Sequence, residues 1–566
     1  MTYGAAVSRG EREEIVQTEI SELLTLLLQN RGIEEHEREF FLNPDYDLHT
    51  HDPFLLKDME RSVSRVLKAV KGGERIVAYT DYDTDGIPAG IIFHDFFKKI
   101  GFSNFRNYIP HRHNEGFGVH VSAVEELAGE GTALIITADC GMADSKAIER
   151  ANELGIDVIV TDHHLPQEMP PAYAIINPKQ EGDQYPFKDL CGAAVAWKLV
   201  TAVLRRGNEE GVFVVHDGWE KWLLDMVGIA TLSDMVPLRG ENRALAYYGL
   251  AVLKRNRRKG LQELLRAARV RQSLLTEDDV GFVIGPRINV ASRMDSPEKA
   301  FRLLATENDA EALALTKELE VLNNKRKGFV AAIVKEARAR LQESQLKSVL
   351  VLGNTNWQPG LLGLAANTLM QEFSRPVFLW GEGGDGTLKG SCRSDGSVHL
   401  LELMQCADEI LTAYGGHECA GGFSVRRDKL HLLADALAEA SNTVPRRERK
   451  GAQEADTTLS LDNVTREAYG VIEKLSPYGM GNPKPLFLFR NAEVRRVEGF
   501  GKQKNHLKLI FANSFGREIE AIQFFAEHLL GRFAVGQYVQ FSAHIEKNVF
   551  AGRDSLRLRI VDIGEE

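Results

Sequence analysis

Residues 74–86 read ERIVAYTDYDTDG. The first six form a short apolar run of the kind that makes a buried strand. The carboxylates that follow, Asp81, Asp83 and Asp85, are spaced two apart. At an extended strand end that spacing aims them to one side. Carboxylates crowded together repel unless cations neutralise them, so a divalent-metal site is favoured over an acidic surface loop. Gly86 permits a tight turn into a helix. The run also fits the opening of a calcium loop, but no Glu closes it where Ile92 and Phe93 stand.

The theme repeats further along. TALIIT (132–137) leads to Asp139, IDVIVT (156–161) leads to Asp162-His163-His164, and YAIIN (173–177) reads as another strand. Helical stretches separate the first three strands, the pattern of βαβ units with a parallel sheet. In such sheets ligands bind beyond the carboxyl ends of the strands. Asp83, Asp85, Asp139 and the histidine pair therefore converge on one rim. Oxygen-rich ligands with one imidazole suit Mn²⁺ or Mg²⁺ better than a structural zinc. Adjacent histidines cannot both point the same way from a strand, so one is a candidate ligand and the other a phosphate contact or acid. Asp234, in IATLSDMVP (229–237), reads by itself as part of a loop after a helix.

The chain has 566 residues, 43% hydrophobic and 26% charged, which excludes collagen-like, disordered and disulfide-scaffold classes and suggests three or four domains. No apolar run approaches the ~18 residues of a membrane span, and the N-terminus lacks a signal-peptide core. Five scattered cysteines, with no C-x-x-C pair, point to a reducing cytoplasm. The net charge of −11 is concentrated: residues 1–60 hold 5 basic and 14 acidic side chains, leaving the rest near balance. Basic clusters lie at 254–259 (KRNRRK), 266–271 (RAARVR), 446–450 (RRERK) and 495–504. Any one of them is more readily a solvated face than a binding site.

The predicted organisation is an acidic helical segment (1–70), an α/β domain with a parallel sheet (71–300), a long helix (301–345), a second α/β domain (346–445) and a C-terminal β-barrel (456–566). A charged stretch without apolar period, 444–457, reads as a linker. Roughly five short strands after residue 480 suit the barrel. GEGGDG (381–386) matches G-x-G-x-x-G, but a strand follows it and a hairpin turn is the better reading. No phosphate-binding G-x-x-x-x-G-K-[ST] loop and no G-x-S-x-G elbow occurs, and His49-x-His51 suits capping or a surface.

Taken together in order, DYDTDG, ADCG, TDHH and SDMVPL resemble the four motifs of the DHH phosphoesterase superfamily. IPHRHNEGFGV (109–119), LCGAAVAWKL (190–199), GPRINVASRM (285–294), LNNKRK (322–327), GSCRS (390–394), YGGHECAGGFSV (414–425) and SPYGMGNPKPLF (476–487) resemble its RecJ branch. The resemblance implies a DHH domain, a DHHA1 domain and an OB-fold barrel. It implies a 5′→3′ exonuclease that degrades single-stranded DNA to mononucleotides in repair and recombination. It makes Asp83, Asp85, Asp139, His163 and Asp234 ligands of two divalent ions, with His164 touching phosphate or the leaving oxygen and Asp162 orienting the pair. Asp81 compensates for or supports a position where the family's pyrophosphatases carry a His and this chain has Tyr79. Arg112, Arg287, Ser391 and Arg393 fall where a 5′-phosphate pocket is expected, His417 where the second lobe faces the active site, and Phe117 where a base would stack.

By the same resemblance, a single-strand-binding protein and a helicase are possible partners of a monomeric chain with no membrane association. Two other readings stand beside it: a DHH phosphodiesterase for short oligoribonucleotides or cyclic dinucleotides, and a non-catalytic scaffold at the replication fork. The extra β-rich module favours a polymer substrate over the first. The complete set of acids and histidines argues against the second.

Overall fold

The computed structural model describes residues 20 and 22–565 apart from 167, 343–345, 384–385, 446–453, 502–503 and 551–552. Residues 1–19 of the acidic segment, the basic run 446–450 and the middle of the 381–386 turn lie outside the described residues. The chain divides into two compact units: Thr50–Val236 with Tyr248–Gly451, and Met1–His49 with Pro237–Tyr247 and Ala452–Glu566.

The first unit is built on a five-stranded parallel sheet. Its strands are β1 (Arg75–Thr80), β2 (Phe105–Tyr108), β3 (Thr132–Ala138), β4 (Asp157–Thr161) and β5 (Ala174–Ile176), in the order β2-β1-β3-β4-β5. The central strands are buried on both faces, as the unbroken apolar runs require. Strand β2 has no counterpart in the sequence reading. FRNY is four residues long and half-buried, an edge strand too short and polar to show a period. One 34-residue helix, Asp309–Gln342, leads to a second sheet of β6 (Leu350–Gly353), β7 (Val377–Glu382), β8 (Leu388–Arg393), β9 (Leu411–Gly416) and β10 (Ala420–Val425). Its order is β6-β7-β8-β10-β9, parallel only between β6 and β7. Strands β7 and β8 pair antiparallel, so the G-x-G-x-x-G run spans a hairpin and opens no helix.

The other unit carries a seven-stranded sheet made from β11 (Thr457–Thr458), β12 (Phe487–Glu493), β13 (Arg496–Phe500), β14 (His506–Ala512), β15 (Glu518–Gln523), β16 (Tyr538–Phe550) and β17 (Arg553–Glu565). Its core joins Phe487, Phe489, Phe511 and Phe541 to Leu23, Leu27 and Phe41 from the start of the chain. Two buried arginines lock these pieces together. Arg31 pairs with Asp456 at 3.0 Å and donates to Asn482 Oδ1 and the Pro483 carbonyl. Arg243, fully buried, lies 3.6 Å over the Phe41 ring and donates to the carbonyls of Phe41, Leu475 and Ser476. Asn482 in turn donates to the carbonyls of Leu475 and Pro477. The SPYGMGNP stretch is therefore a hydrogen-bonded clasp within this unit.

Removing the Arg243 guanidinium strands these carbonyls in a dry interior, each at about 1–3 kcal/mol. Arg243→Ala is expected to lower the melting temperature of this unit by several degrees, read by calorimetry, while the parallel-sheet unit keeps its own transition.

Candidate metal centre

The site is assembled by the sheet edge. Backbone pairing runs one residue beyond the strands: Asp81 N–H donates to Ala138 O, Asp139 N–H to Thr161 O, and Asp162 N–H to Ile176 O. Each acid is thereby fixed at the carboxyl end of its strand. Asp139 adopts φ 61°, a left-handed conformation that costs a non-glycine residue about 1 kcal/mol or more. That turn directs its carboxylate into the cluster.

Asp85 is held from behind. Its two oxygens accept from Gly192 N–H and Ala193 N–H, both at 2.6 Å, at the first turn of the helix Gly192–Glu209. A helix N-terminus carries unpaired donors and partial positive charge, so it suits an anion. Asp83 Oδ1 accepts from Asp85 N–H and Gly86 N–H, which shapes the DYDTDG turn. Asp234 ends the helix Leu224–Ser233. Contrary to its isolated sequence context, it lies at the cluster.

Three overlapping groups have ligand atoms within 4.8 Å of one another: Asp81, Asp83 and Asp139; Asp85, His163 and Asp234; and Asp139, His163 and His164. His163 Nε2 stands 3.2 Å from Asp139, 3.6 Å from Asp234 and 3.8 Å from Asp85, yet makes no well-formed hydrogen bond. Asp81 Oδ1 is likewise buried without a donor. Buried polar atoms left unpaired in a native fold call for an unseen partner. Burial first, then mutual repulsion, pushes Asp139 and Asp81 well above the usual carboxylate range, Asp85 up to about 7 and Asp234 up to about 8. Burial and the neighbouring His164 push His163 down to about 3, leaving a neutral imidazole of the kind that ligates metal. A dry nest of oxygens with one neutral imidazole fits divalent cations.

Asp162 has a different task. Its Oδ1 accepts from His163 N–H, His164 N–H and His164 Nδ1, the last at 2.7 Å, and its Oδ2 accepts from Met142 N–H. Burial would depress His164, but Asp162's hydrogen bond and charge outweigh it and push His164 up to about 9. His164 is thus a cation beside the nest, with the exposed Phe117 ring edge-on at 5.7 Å. Tyr79 is fully buried, its hydroxyl donating to Gly118 O.

The remaining candidates separate into two groups. Arg112 lies 4.9 Å over the Tyr82 ring, and Arg393 donates to the Cys392 carbonyl; neither has a carboxylate partner among the described residues. Arg287 is engaged by Glu320 of the long helix and by the Val283 carbonyl. Ser391 is half-buried in β8, opposite Leu379 and Gly422. His417 is exposed in the turn between β9 and β10, and no described contact joins it to the carboxylates.

Two arginines absent from the sequence reading complete the picture. Arg293, in ASRM, donates to Gly360 O and is pushed down to about 9 by burial and by the charges of Arg112, Arg326 and Arg393. Arg326, in LNNKRK, has a buried Nε with no acceptor. Neither guanidinium has an ion-paired carboxylate among the described residues, which suits both to an anion. Arg112, Arg293 and Lys389 also line a cavity of about 500 Å³ with Trp357 and Gln358.

A parallel sheet whose strand ends deliver these acids and histidines defines a DHH-type phosphoesterase centre. The DHH family N-terminal domain model matches residues 75–231, the DHHA1 domain residues 346–444 and the RecJ OB domain residues 455–562. The single-stranded-DNA-specific exonuclease RecJ of Bacillus subtilis is 34% identical over 96% of this chain and 68% of that protein. Its Escherichia coli namesake is 31% identical over 90% of each. The crystal structure of RecJ with Mn²⁺ from Thermus thermophilus superposes with a TM-score of 0.79 at 28% identity, covering 96% of this chain and 76% of that one. A second crystal structure of that protein contains Mg²⁺. The chain belongs to the RecJ family.

Gly192 offers a sharp test of the nest. A Cβ there would meet the Asp139 Cβ at 2.6 Å and its backbone Cα at 2.9 Å, so Asp139 or the helix start must shift. Overpacking of this kind costs about 1–3 kcal/mol, so Gly192→Ala is expected to weaken Mn²⁺ binding about tenfold or more by calorimetric titration. The circular dichroism spectrum should stay unchanged.

Proposed function

We propose that this chain is a divalent-metal-dependent exonuclease that hydrolyses single-stranded DNA from its 5′ end to mononucleotides, in repair and recombination. The observation that carries the reading is the buried, uncompensated nest around Asp139 and His163. Asp83, Asp85, Asp139, His163 and Asp234 would hold two ions, Mn²⁺ or Mg²⁺, with Asp139 between them and Asp81 closing the side that Tyr79 leaves without a ligand. Divalent cations bound there would clamp a phosphate and lower the pKa of an attacking water.

The chain's own residues do the rest. Asp162 fixes the His164 ring and keeps it protonated, so His164 donates to a phosphate oxygen or to the departing 3′-oxygen. Phe117, exposed beside it, would stack the base next to the scissile bond. Arg112, Arg293, Arg326 and Arg393 would pair with a terminal 5′-phosphate, and Ser391 in β8 would donate to it; this end recognition sets the polarity. Arg287 would act from behind, holding Arg326 in place through the long helix. His417 would approach only with a bound strand. The relatives named as single-stranded-DNA-specific exonucleases support the substrate class.

In the barrel unit, Phe500, His506, Phe524 and Phe525 form an aromatic patch, with Phe524 and Phe525 exposed. This patch would grip the strand as it leaves. The chain would work as a cytoplasmic monomer, handed its substrate by a helicase and a single-strand-binding protein. Among the described residues no helix is long and apolar enough to cross a membrane.

A digestion time course on end-labelled single strands tests the reading. Immediate release of labelled mononucleotide from the 5′-labelled strand, stepwise shortening of the 3′-labelled strand and no cleavage with chelator are expected. Hydrolysis of di- to tetranucleotides alone would move the chain to the small-substrate phosphodiesterases. Asp139→Ala is expected to abolish hydrolysis while retaining strand binding; wild-type turnover by that variant would overturn the metal scheme. Phe525→Ala should weaken strand binding by about 1–3 kcal/mol, read by fluorescence anisotropy, and leave metal affinity unchanged.

A further inference from the structure

A cavity of about 830 Å³ in the parallel-sheet unit is lined by residues separate from the metal nest and the arginine cluster. The helix Gly86–Lys99 begins beside Asp85 and ends at Lys98 and Lys99 in the cavity wall, about 20 Å away at 1.5 Å per residue. One mononucleotide cannot fill both places.

Lys98 and Lys259 of the lining are taken by Glu307 at 2.9 Å and Asp309 at 3.1 Å, and three kinds of group are left to a ligand. Trp219 and Trp222 present indoles, Trp222 being 37% exposed. Lys99 and Arg257 are cations with no carboxylate partner among the described residues, Arg257 standing 4.1 Å over the Trp222 ring. Asn256 is only 4% exposed; its Oδ1 accepts from Arg258 N–H, and its buried Nδ2 has no acceptor. The charges beneath are already settled, because Arg258 bridges Asp95 at 2.7 Å and Asp225 at 2.6 Å. The spare positive charge and the spare amide donor are therefore available to a ligand.

From these features we infer that the cavity is a second, non-catalytic site for a nucleoside phosphate. A simple inorganic anion has no use for two indoles. An apolar ligand would leave the cations and the buried amide unpaired. A base with acceptor atoms on its edge, joined to a phosphate, uses all three components. The volume falls within the ~300–1,000 Å³ of small-ligand sites. The site lies outside the hydrolytic scheme and stands whether or not that scheme does.

Equilibrium dialysis of the full chain in Mn²⁺ tests this, with AMP and ADP as probes and adenosine and inorganic phosphate as half-ligands. The wild type and Asp139→Ala are expected to bind AMP or ADP alike. Arg257→Ala and Lys99→Ala, both surface changes, should each weaken binding about tenfold. Each half-ligand should bind at least about tenfold more weakly than the nucleotide. Binding lost in Asp139→Ala but intact in Arg257→Ala and Lys99→Ala would overturn the proposal by placing the nucleotide in the metal nest. Phosphate binding as tightly as AMP would overturn it in favour of a plain anion site.

Discussion

Carboxylates cannot crowd at a buried sheet edge unless something positive joins them. Asp81 and Asp83 gather about Asp139, Asp85 and Asp234 gather about His163, and burial of Asp81, Asp85 and Asp139 raises the cost of their charges. Part of the compensation is supplied by the protein. Two N–H groups of a helix start take Asp85, and the turn of DYDTDG takes Asp83. Asp139 and His163 receive nothing comparable, and their unmet demand is the demand for divalent ions. The left-handed backbone at Asp139 and the tight contact at Gly192 both follow from holding that one carboxylate in place.

A second electrostatic imbalance, of opposite sign, lies in the same unit. Burial, joined by the charges of Arg112, Arg326 and Arg393, depresses the basicity of Arg293, and burial depresses Arg326 and Arg393 as well. Arg293 bridges from the parallel-sheet domain to Gly360 at the start of the helix Pro359–Phe373, so the cluster draws on both sheets. A nest that wants cations beside a cluster that wants an anion suits a polyanion held at its end.

Much of this was legible in the chain. Apolar runs ending in Asp mark β1, β3 and β4, because a strand buried on both faces carries no charged side chain past its first residue until it leaves the sheet. Residues 306–344 contain no Pro and only one Gly, Gly328, a composition that favours a long helix. Asp234 was not legible by itself, since only the tertiary fold brings a helix end to a sheet edge. Arg293 in GPRINVASRM and Arg326 in LNNKRK are not legible for a similar reason: a surface arginine and one drawn into a cleft look identical in sequence. The exposed aromatics of QFF (523–525) have no period to betray them. Nor does local pattern announce that Leu23, Leu27 and Phe41 share a core with strands more than four hundred residues away.

Divalent cations on either side of Asp139 would answer the charge of the carboxylate nest. Anomalous diffraction from Mn²⁺-loaded crystals tests this most directly. Two peaks about 3.5–4 Å apart are expected, flanking the Asp139 carboxylate, one on the Asp81–Asp83 side and one on the His163–Asp234 side. A single peak remote from Asp139, or a fully loaded crystal with no density in the nest, would contradict that arrangement.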